Sequence, residues 1–213
     1  MLVGRHKPGK VRRRRPDALP DTLQIREARF GEGKAFTDLA ALAMEGHGDF
    51  DDREAMREAI DEGGPFISKF GAGRIVFLVA EHTPTAGIVG ISSTIPPLSV
   101  LGNMERDGAD PAALGATAMA YVKVRALAVA DDYRRQGIAS ALLTKALAIH
   151  RDHRAFFAYG QFTAGDAGLA RFYRRHGFTI HAPGEPVILP GSARHPDVGA
   201  APLPGEQMFS RTI

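Results

Sequence analysis

The chain has 213 residues, 44% hydrophobic and 24% charged, enough apolar side chain for a domain with its own core. It has no cysteine, which excludes disulfides, thiolate metal sites and a cysteine nucleophile, and no apolar run approaches the roughly 20 residues of a membrane-spanning helix. The formal net charge is +3, yet residues 1–15 carry seven Lys or Arg and no acid, so removing that +7 leaves −4 for residues 16–213.

The basicity therefore belongs to a tail. Residues 1–21 are too polar to bury and read as disordered, ahead of a single domain at 22–213. Arg12, Arg13, Arg14 and Arg15 give residues 5–15 an electrostatic route to nucleic acid, although a plain solvated tail is the favoured reading. No apolar stretch or cleavage site follows the charged start, so no secretory signal is expected and a cytoplasmic protein is.

From Leu23 the pattern becomes globular. LQIREA alternates as a short strand, FTDLAALAMEG has helical spacing closed by Gly46, and after the polar break HGDFDD a second helix, REAMREAIDEGG, ends in two glycines. RIVFLVAEH and GIVGISSTI, separated by TPTA, predict a β-hairpin. In residues 96–119, Pro96, Pro97, Gly102, Gly108 and Pro111 break any long element, with room for a short helix in PAALGATAMA; the segment is an insertion or an active-site border.

YVKVRALAVA (121–130) is a strand, and IASALLTKALAIHR a helix with Ile138, Leu142, Ala146, Leu147 and Ile149 largely on one side. AFFAYGQF is another strand, GLARFYRRHG a helix stopped by Gly177, and FTIH and EQMFSRTI are closing strands. Residues 183–205 hold six prolines and read as a binding rim or as disorder. The fold class is α+β.

The turn DDYRRQGIAS carries the chemistry. A helix start offers unpaired N–H groups and a positive dipole end, Gly137 lets backbone approach a ligand, and small Ala139 and Ser140 leave the first-turn amides open. Arg134 and Arg135 add charge that pairs with phosphate. No GxxxxGK[ST] exists, and GAG at 71–73 lacks the third glycine of a dinucleotide fingerprint. His150 and His153 have i, i+3 spacing but supply only two ligands, so no metal is expected.

VRALAVADDYRRQGIASALL resembles the signature of the GNAT-type N-acetyltransferases: a strand, then R/Q-x-x-G-x-G/A matched by Arg134, Gly137 and Ala139, then a helix. LARFYRRHGF resembles the family's other stretch through Phe172, Tyr173, Gly177 and Phe178. The resemblance covers roughly Leu23 to Ile213 apart from 97–119. It implies a mixed, mainly antiparallel sheet flanked by helices, with two splayed central strands and acetyl-CoA in the gap. It implies, further, that the amides of Gln136, Gly137, Ile138, Ala139 and Ser140 hold the pyrophosphate. The backbone of Leu127, Ala128 and Val129 would pair with the pantetheine arm, and Leu127 or Ala128 would polarise the thioester carbonyl. Tyr173 would protonate the departing thiolate.

Two departures stand out. Asp166 occupies the place of a common asparagine and is expected to cap the next helix, with a contact to the CoA arm left open; Leu169 replaces a common alanine. The signature strand has no acid to act as base. A lysine acceptor near pKa 10.4 costs roughly 4.6 kcal/mol to deprotonate at pH 7, an α-amino group near 7.8 only about 1. Glu45, His47, Asp49, Asp51 and Glu54 lie where relatives border the acceptor pocket; a solvated loop is the competing reading. The expected partner is an amine acceptor of unnamed identity, no membrane partner is expected, and a homodimer is left open. A non-catalytic CoA sensor and a nucleic-acid-associated transferase are the competing functions.

Overall fold

Alternating apolar residues form the strands, and their register builds one large sheet. A computed structural model describes residues 19–44, 52–63, 67–68, 71–190 and 199–213. The Arg-rich segment and the polar break with Glu45, Gly46, His47, Asp49 and Asp51 lie outside the described residues. Strands β1 (Leu23–Glu27), β2 (Val76–His82), β3 (Gly87–Ile95), β4 (Tyr121–Val129), β5 (Phe157–Thr163) and β6 (Thr179–Pro183) join β9 (Glu206–Thr212) in one sheet. Their order is β1-β2-β3-β4-β5-β9-β6. Neighbours are antiparallel except β4 and β5, which run parallel.

An extra residue in β4 at Arg125 shifts its alternation, so the even-numbered residues on the two sides of it face opposite ways. Ala126 and Ala128 pack with Phe36 and Ala40 of α1 (Gly33–Met44) and with Met56 and Ile60 of α2 (Asp52–Asp61). The helix spacing explains the first of these: Phe36, Leu39, Ala40 and Ala43 share one side of α1. Asp61 of α2 accepts the Gly33 N–H at 2.8 Å, placing a carboxylate at the start of α1. On the other face, Val122 and Val124 meet Leu143 and Leu147 of α5 (Ile138–Asp152) and Tyr173 of α6 (Ala167–Arg175).

The 96–119 segment, read as having room for a short helix only in PAALGATAMA, and the proline-rich 183–205 segment turn out to pack against each other. Residues 98–120 form α3 (Leu98–Arg106) and α4 (Pro111–Ala120), the latter capped by Asp110, whose side chain accepts the Ala113 N–H at 2.9 Å. Gly102, expected to break an element, lies inside α3. The helix buries Val100, Leu101 and Met104, which offsets the roughly 1 kcal/mol that glycine costs a helix interior. These residues pack with Val187 of β7 (Val187–Ile188), Leu189 and Ala200 of β8 (Gly199–Ala200) on Tyr121, Phe157, Tyr159 and Met208. The Tyr121 hydroxyl donates to the Pro190 carbonyl at 2.6 Å. In the described part of 183–205, Val187, Leu189 and Ala200 are thus anchored in the core, while most of the other residues are exposed. Leu19, assigned to the tail, packs beside β1 and α5. No helix among the described residues is long and apolar enough to cross a membrane.

Candidate active site

The site begins where β4 stops pairing with β5. Their register runs from Tyr121 opposite Phe157 to Val124 opposite Gly160 and ends there. Beyond it, Ala126–Val129 pair only with β3, and Gln161–Thr163 pair only with β9. Arg125 is an extra residue in β4: Ser93 faces Ala126 and Thr94 faces Val124, so the strand bulges at the point of divergence. Backbone groups of this half of β4 that point away from β3 have no strand partner, which is an edge an extended ligand can join. Leu127, Ala128 and Val129 stand on that edge.

Gly160 marks the same point for a steric reason. A Cβ there would lie 2.8 Å from the Val124 carbonyl oxygen and would collide with the Phe209 ring. Sequence reading passed over this residue. A glycine within the apolar run AFFAYGQF was the available signal of close backbone approach.

At the open end of β4 the chain turns through a 3₁₀ turn, Asp131–Tyr133, and enters α5 at Gly137. Arg135 has φ 61° and Gly137 φ 82°, so two left-handed residues flank Gln136 and curl the backbone toward the helix start. No side chain caps α5, and a Cβ on Gly137 would meet nothing within 4 Å. Arg135, Gln136 and Gly137 are exposed, Ala139 and Ser140 half-buried, and Ile138 is buried under the sheet. The turn is open at Arg135–Gly137 and leads into a helix start without a side-chain cap.

The two arginines have different situations. Arg134 turns back: its Nε donates to the Val129 carbonyl at 3.2 Å, and its guanidinium pairs with Asp131 at 2.7 Å. It braces the end of β4, and Asp131 offsets its charge. Arg135 is exposed on the turn. The Gln136 side chain donates to the Asp132 carbonyl at 3.4 Å.

Tyr173 of α6 packs in the cluster that holds Val124 of β4 and Leu143 and Leu147 of α5. Asp166 starts its helix by accepting the Leu169 N–H at 2.8 Å. The Tyr173 ring stacks on Phe209 with centroids 3.7 Å apart and planes at 17°, and it meets Phe178 edge-on at 5.6 Å. The residue is 6% exposed, and burial pushes its phenol well above the usual tyrosine value. It therefore holds its proton at neutral pH, as an acid must. Phe209, which presses against both Tyr173 and the space beside Gly160, is a second residue that sequence reading missed.

The remaining candidates disperse. Glu54 is exposed on α2, where Arg57 donates to it at 3.0 Å and holds its carboxyl below the usual range. It borders a cleft of about 420 Å³ with Thr37, Asp38, Ala41 and Arg53. His150 is buried and bonds through Nε2 to Thr94 Oγ1 at 2.7 Å, while His153 contacts Arg74 at 2.7 Å. The two histidines thus have separate partners. Among the described residues no cluster of three His, Asp or Glu is placed to hold a metal ion.

This sheet, parting at its centre beside an uncapped helix start, is the architecture of an acyltransferase. The sequence model of the acetyltransferase (GNAT) domain matches residues 74–180, half of the chain, and the protein belongs to that family. No curated protein matches the sequence at a significant level. Among solved structures, the fold is similar to a GNAT family acetyltransferase from Elizabethkingia anophelis with acetyl-CoA bound. The TM-score is 0.53 at 14% identity, over 91% of this chain and 100% of that one. It is also similar to ribosomal-protein-alanine N-acetyltransferase from Brucella melitensis (TM-score 0.55, 17% identity, 89% and 99% covered). An acetyltransferase from Streptococcus agalactiae gives a TM-score of 0.58 at 11% identity, with 91% and 99% covered.

Proposed function

We propose that the protein transfers the acetyl group of acetyl-CoA directly to a primary amine within a ternary complex. The observation that carries this reading is the juxtaposition of the open turn at Arg135–Gly137 with the edge of β4 beyond Val124. A CoA pyrophosphate fits the first and an extended pantetheine arm fits the second. Relatives of this fold with acetyl-CoA bound, and one named for N-acetylation of a ribosomal protein's alanine, support it.

In this mechanism the amides of Gln136 to Ser140 bind the pyrophosphate, and the backbone of Leu127–Val129 aligns the arm. An amide of Leu127 or Ala128 receives the thioester oxygen as negative charge develops on it. The neutral amine attacks the carbonyl carbon, the new C–N bond forms and the C–S bond breaks. Tyr173 gives its proton to the departing thiolate, and the proton shed by the amine reaches solvent and, in turn, the phenolate. β3, β4 and β5 carry no carboxylate, and in this reading a water chain takes that proton. Positioning supplies much of the rate.

The test uses the full chain with acetyl-CoA and a panel of amines. Acetyl-CoA raises the melting temperature, and free thiol appears only when a suitable amine is present. Thermal protection with no thiol release from any amine identifies a CoA sensor and contradicts the proposal.

A further inference from the structure

Strand β9 finishes at Thr212, opposite Phe157, at the end of the sheet where β4 begins with Tyr121. There the C-terminal half of α5, the end of α6 and the end of β9 border a cleft of about 420 Å³. Arg151 comes from α5, Arg175 from the last position of α6, and Arg211 from β9. Leu147, Ala148 and Ile213 give the cleft an apolar side. It lies far from the turn at Gly137, since Ile138 and Arg151 are ~20 Å apart along α5.

The charge of this cleft is one-sided. No lining residue has an acidic side chain, and the carboxylate of Ile213, the last residue, offsets only one of the three guanidiniums. Helix cations elsewhere have acids one turn away, Lys34 with Asp38 and Arg57 with Glu54 and Asp61. One turn before Arg151 stand Leu147 and Ala148, and one turn before Arg175 stand Arg171 and Phe172. Neither of these two guanidiniums has a hydrogen bond or ion pair among the described residues. Helix dipoles favour a cation at the end of α5 and another at the end of α6. They do not account for a third from a strand, nor for all three meeting at one concavity, where like charges repel and the field is focused on an anion.

Arg211 is held in place. Its Nη1 donates to the His176 carbonyl and its Nε to the Thr212 carbonyl at 3.1 Å, with the guanidinium 5.5 Å from the centre of the Phe178 ring. Gly177, at φ 77°, makes room for it: a Cβ there would lie 3.4 Å from Nη1. Nη2 is left for a ligand. His176 Nδ1 donates to the Phe172 carbonyl at 2.9 Å, which leaves Nε2 available, and the Thr144 hydroxyl adds a donor. We propose that this cleft binds a small phosphate ester of about mononucleotide size, at a site separate from the turn at Gly137. The three arginines hold the phosphate oxygens, and the apolar side receives the body of the ester. The volume is that of a small-molecule site and exceeds what a bare phosphate fills. Bound there, the phosphate ties the ends of α5 and α6 to β9.

Calorimetric titration of the full chain tests this, with and without saturating acetyl-CoA and at matched ionic strength. The probes are AMP, glucose 6-phosphate and inorganic phosphate, with adenosine and glucose as uncharged controls. The expected result is a Kd below about 1 mM for AMP or glucose 6-phosphate, tighter than for inorganic phosphate, absent for the controls and unchanged by acetyl-CoA. Arg151→Gln and Arg175→Gln should each weaken that binding about tenfold. Both positions are exposed, so the free variants should melt within about 2 °C of the parent, and thermal protection by acetyl-CoA should be unchanged. Kd values above about 1 mM for both esters, or binding that the two variants retain in full, overturn the site. Binding that acetyl-CoA abolishes places the anion at the turn by Gly137 and overturns it equally. Inorganic phosphate bound as tightly as the esters makes free phosphate the ligand and overturns the ester.

Discussion

Replacing Tyr173 by phenylalanine removes one oxygen and keeps the ring that stacks on Phe209 at 3.7 Å. Among the described residues the hydroxyl has no hydrogen bond to lose, so stability should change by less than about 0.5 kcal/mol, or about 2 °C in Tm. The rate should respond very differently. A positioned general acid is worth about 10²–10⁴ in rate, or about 3–5 kcal/mol on the barrier. Steady-state thiol release against acetyl-CoA measures kcat and KM, and thermal unfolding measures the fold. The expected outcome is a large fall in kcat with KM for acetyl-CoA nearly unchanged. A kcat within about threefold of the parent would remove Tyr173 as the acid. A pH series adds a check. Burial raises the phenol's pKa, so above about pH 10 the unfolded chain ionises while the folded one resists. Stability is therefore whole below pH 10 and falls above it, by less in the phenylalanine variant.

Other changes separate binding from folding. Gly137→Ala adds a methyl group to open space at φ 82°, so it should cost stability about 1 kcal/mol and raise KM for acetyl-CoA at least about tenfold; equal KM would deny the cradle. Gly160→Ala drives a methyl against the Val124 carbonyl and Phe209. Calorimetry should show a loss of about 3 kcal/mol, roughly 10 °C. His150 is held neutral by burial, with Arg74 and His153 nearby, and its pKa falls from 6.5 to about 4. Unfolded chain gains a proton first as pH drops, so stability is lost between about pH 6.5 and 4, on the order of 3 kcal/mol. Denaturant titrations of the parent and of His150→Leu should differ in that slope.

Much of the fold was legible because its strands are long and apolar. GIVGISSTI became β3 residue for residue, and the 121–150 strand, turn and helix formed as read. The helix α3 was hidden because proline and glycine spacing outweighed Val100, Leu101 and Met104, whose burial is a tertiary fact. His150 illustrates the same limit: i, i+3 spacing placed it at a helix end beside His153, yet packing against Thr94 made it core. In the site, the turn was legible from composition, since open amides follow from Gly137 and small neighbours. The divergence of β4 and β5 was not. It depends on the bulge at Arg125 and on Phe209 meeting Gly160 from a strand some fifty residues away, and only the family resemblance anticipated it.

The central claim is direct transfer from acetyl-CoA, held between turn and strand edge, to an amine bound at the same time. An initial-rate matrix of free-thiol release, varied in both acetyl-CoA and acceptor, tests it most directly. The account predicts double-reciprocal lines that intersect, because both substrates must be present before the C–N bond forms. Parallel lines would require an acetylated protein intermediate, and thiol release independent of the amine would mean hydrolysis; either result contradicts the account.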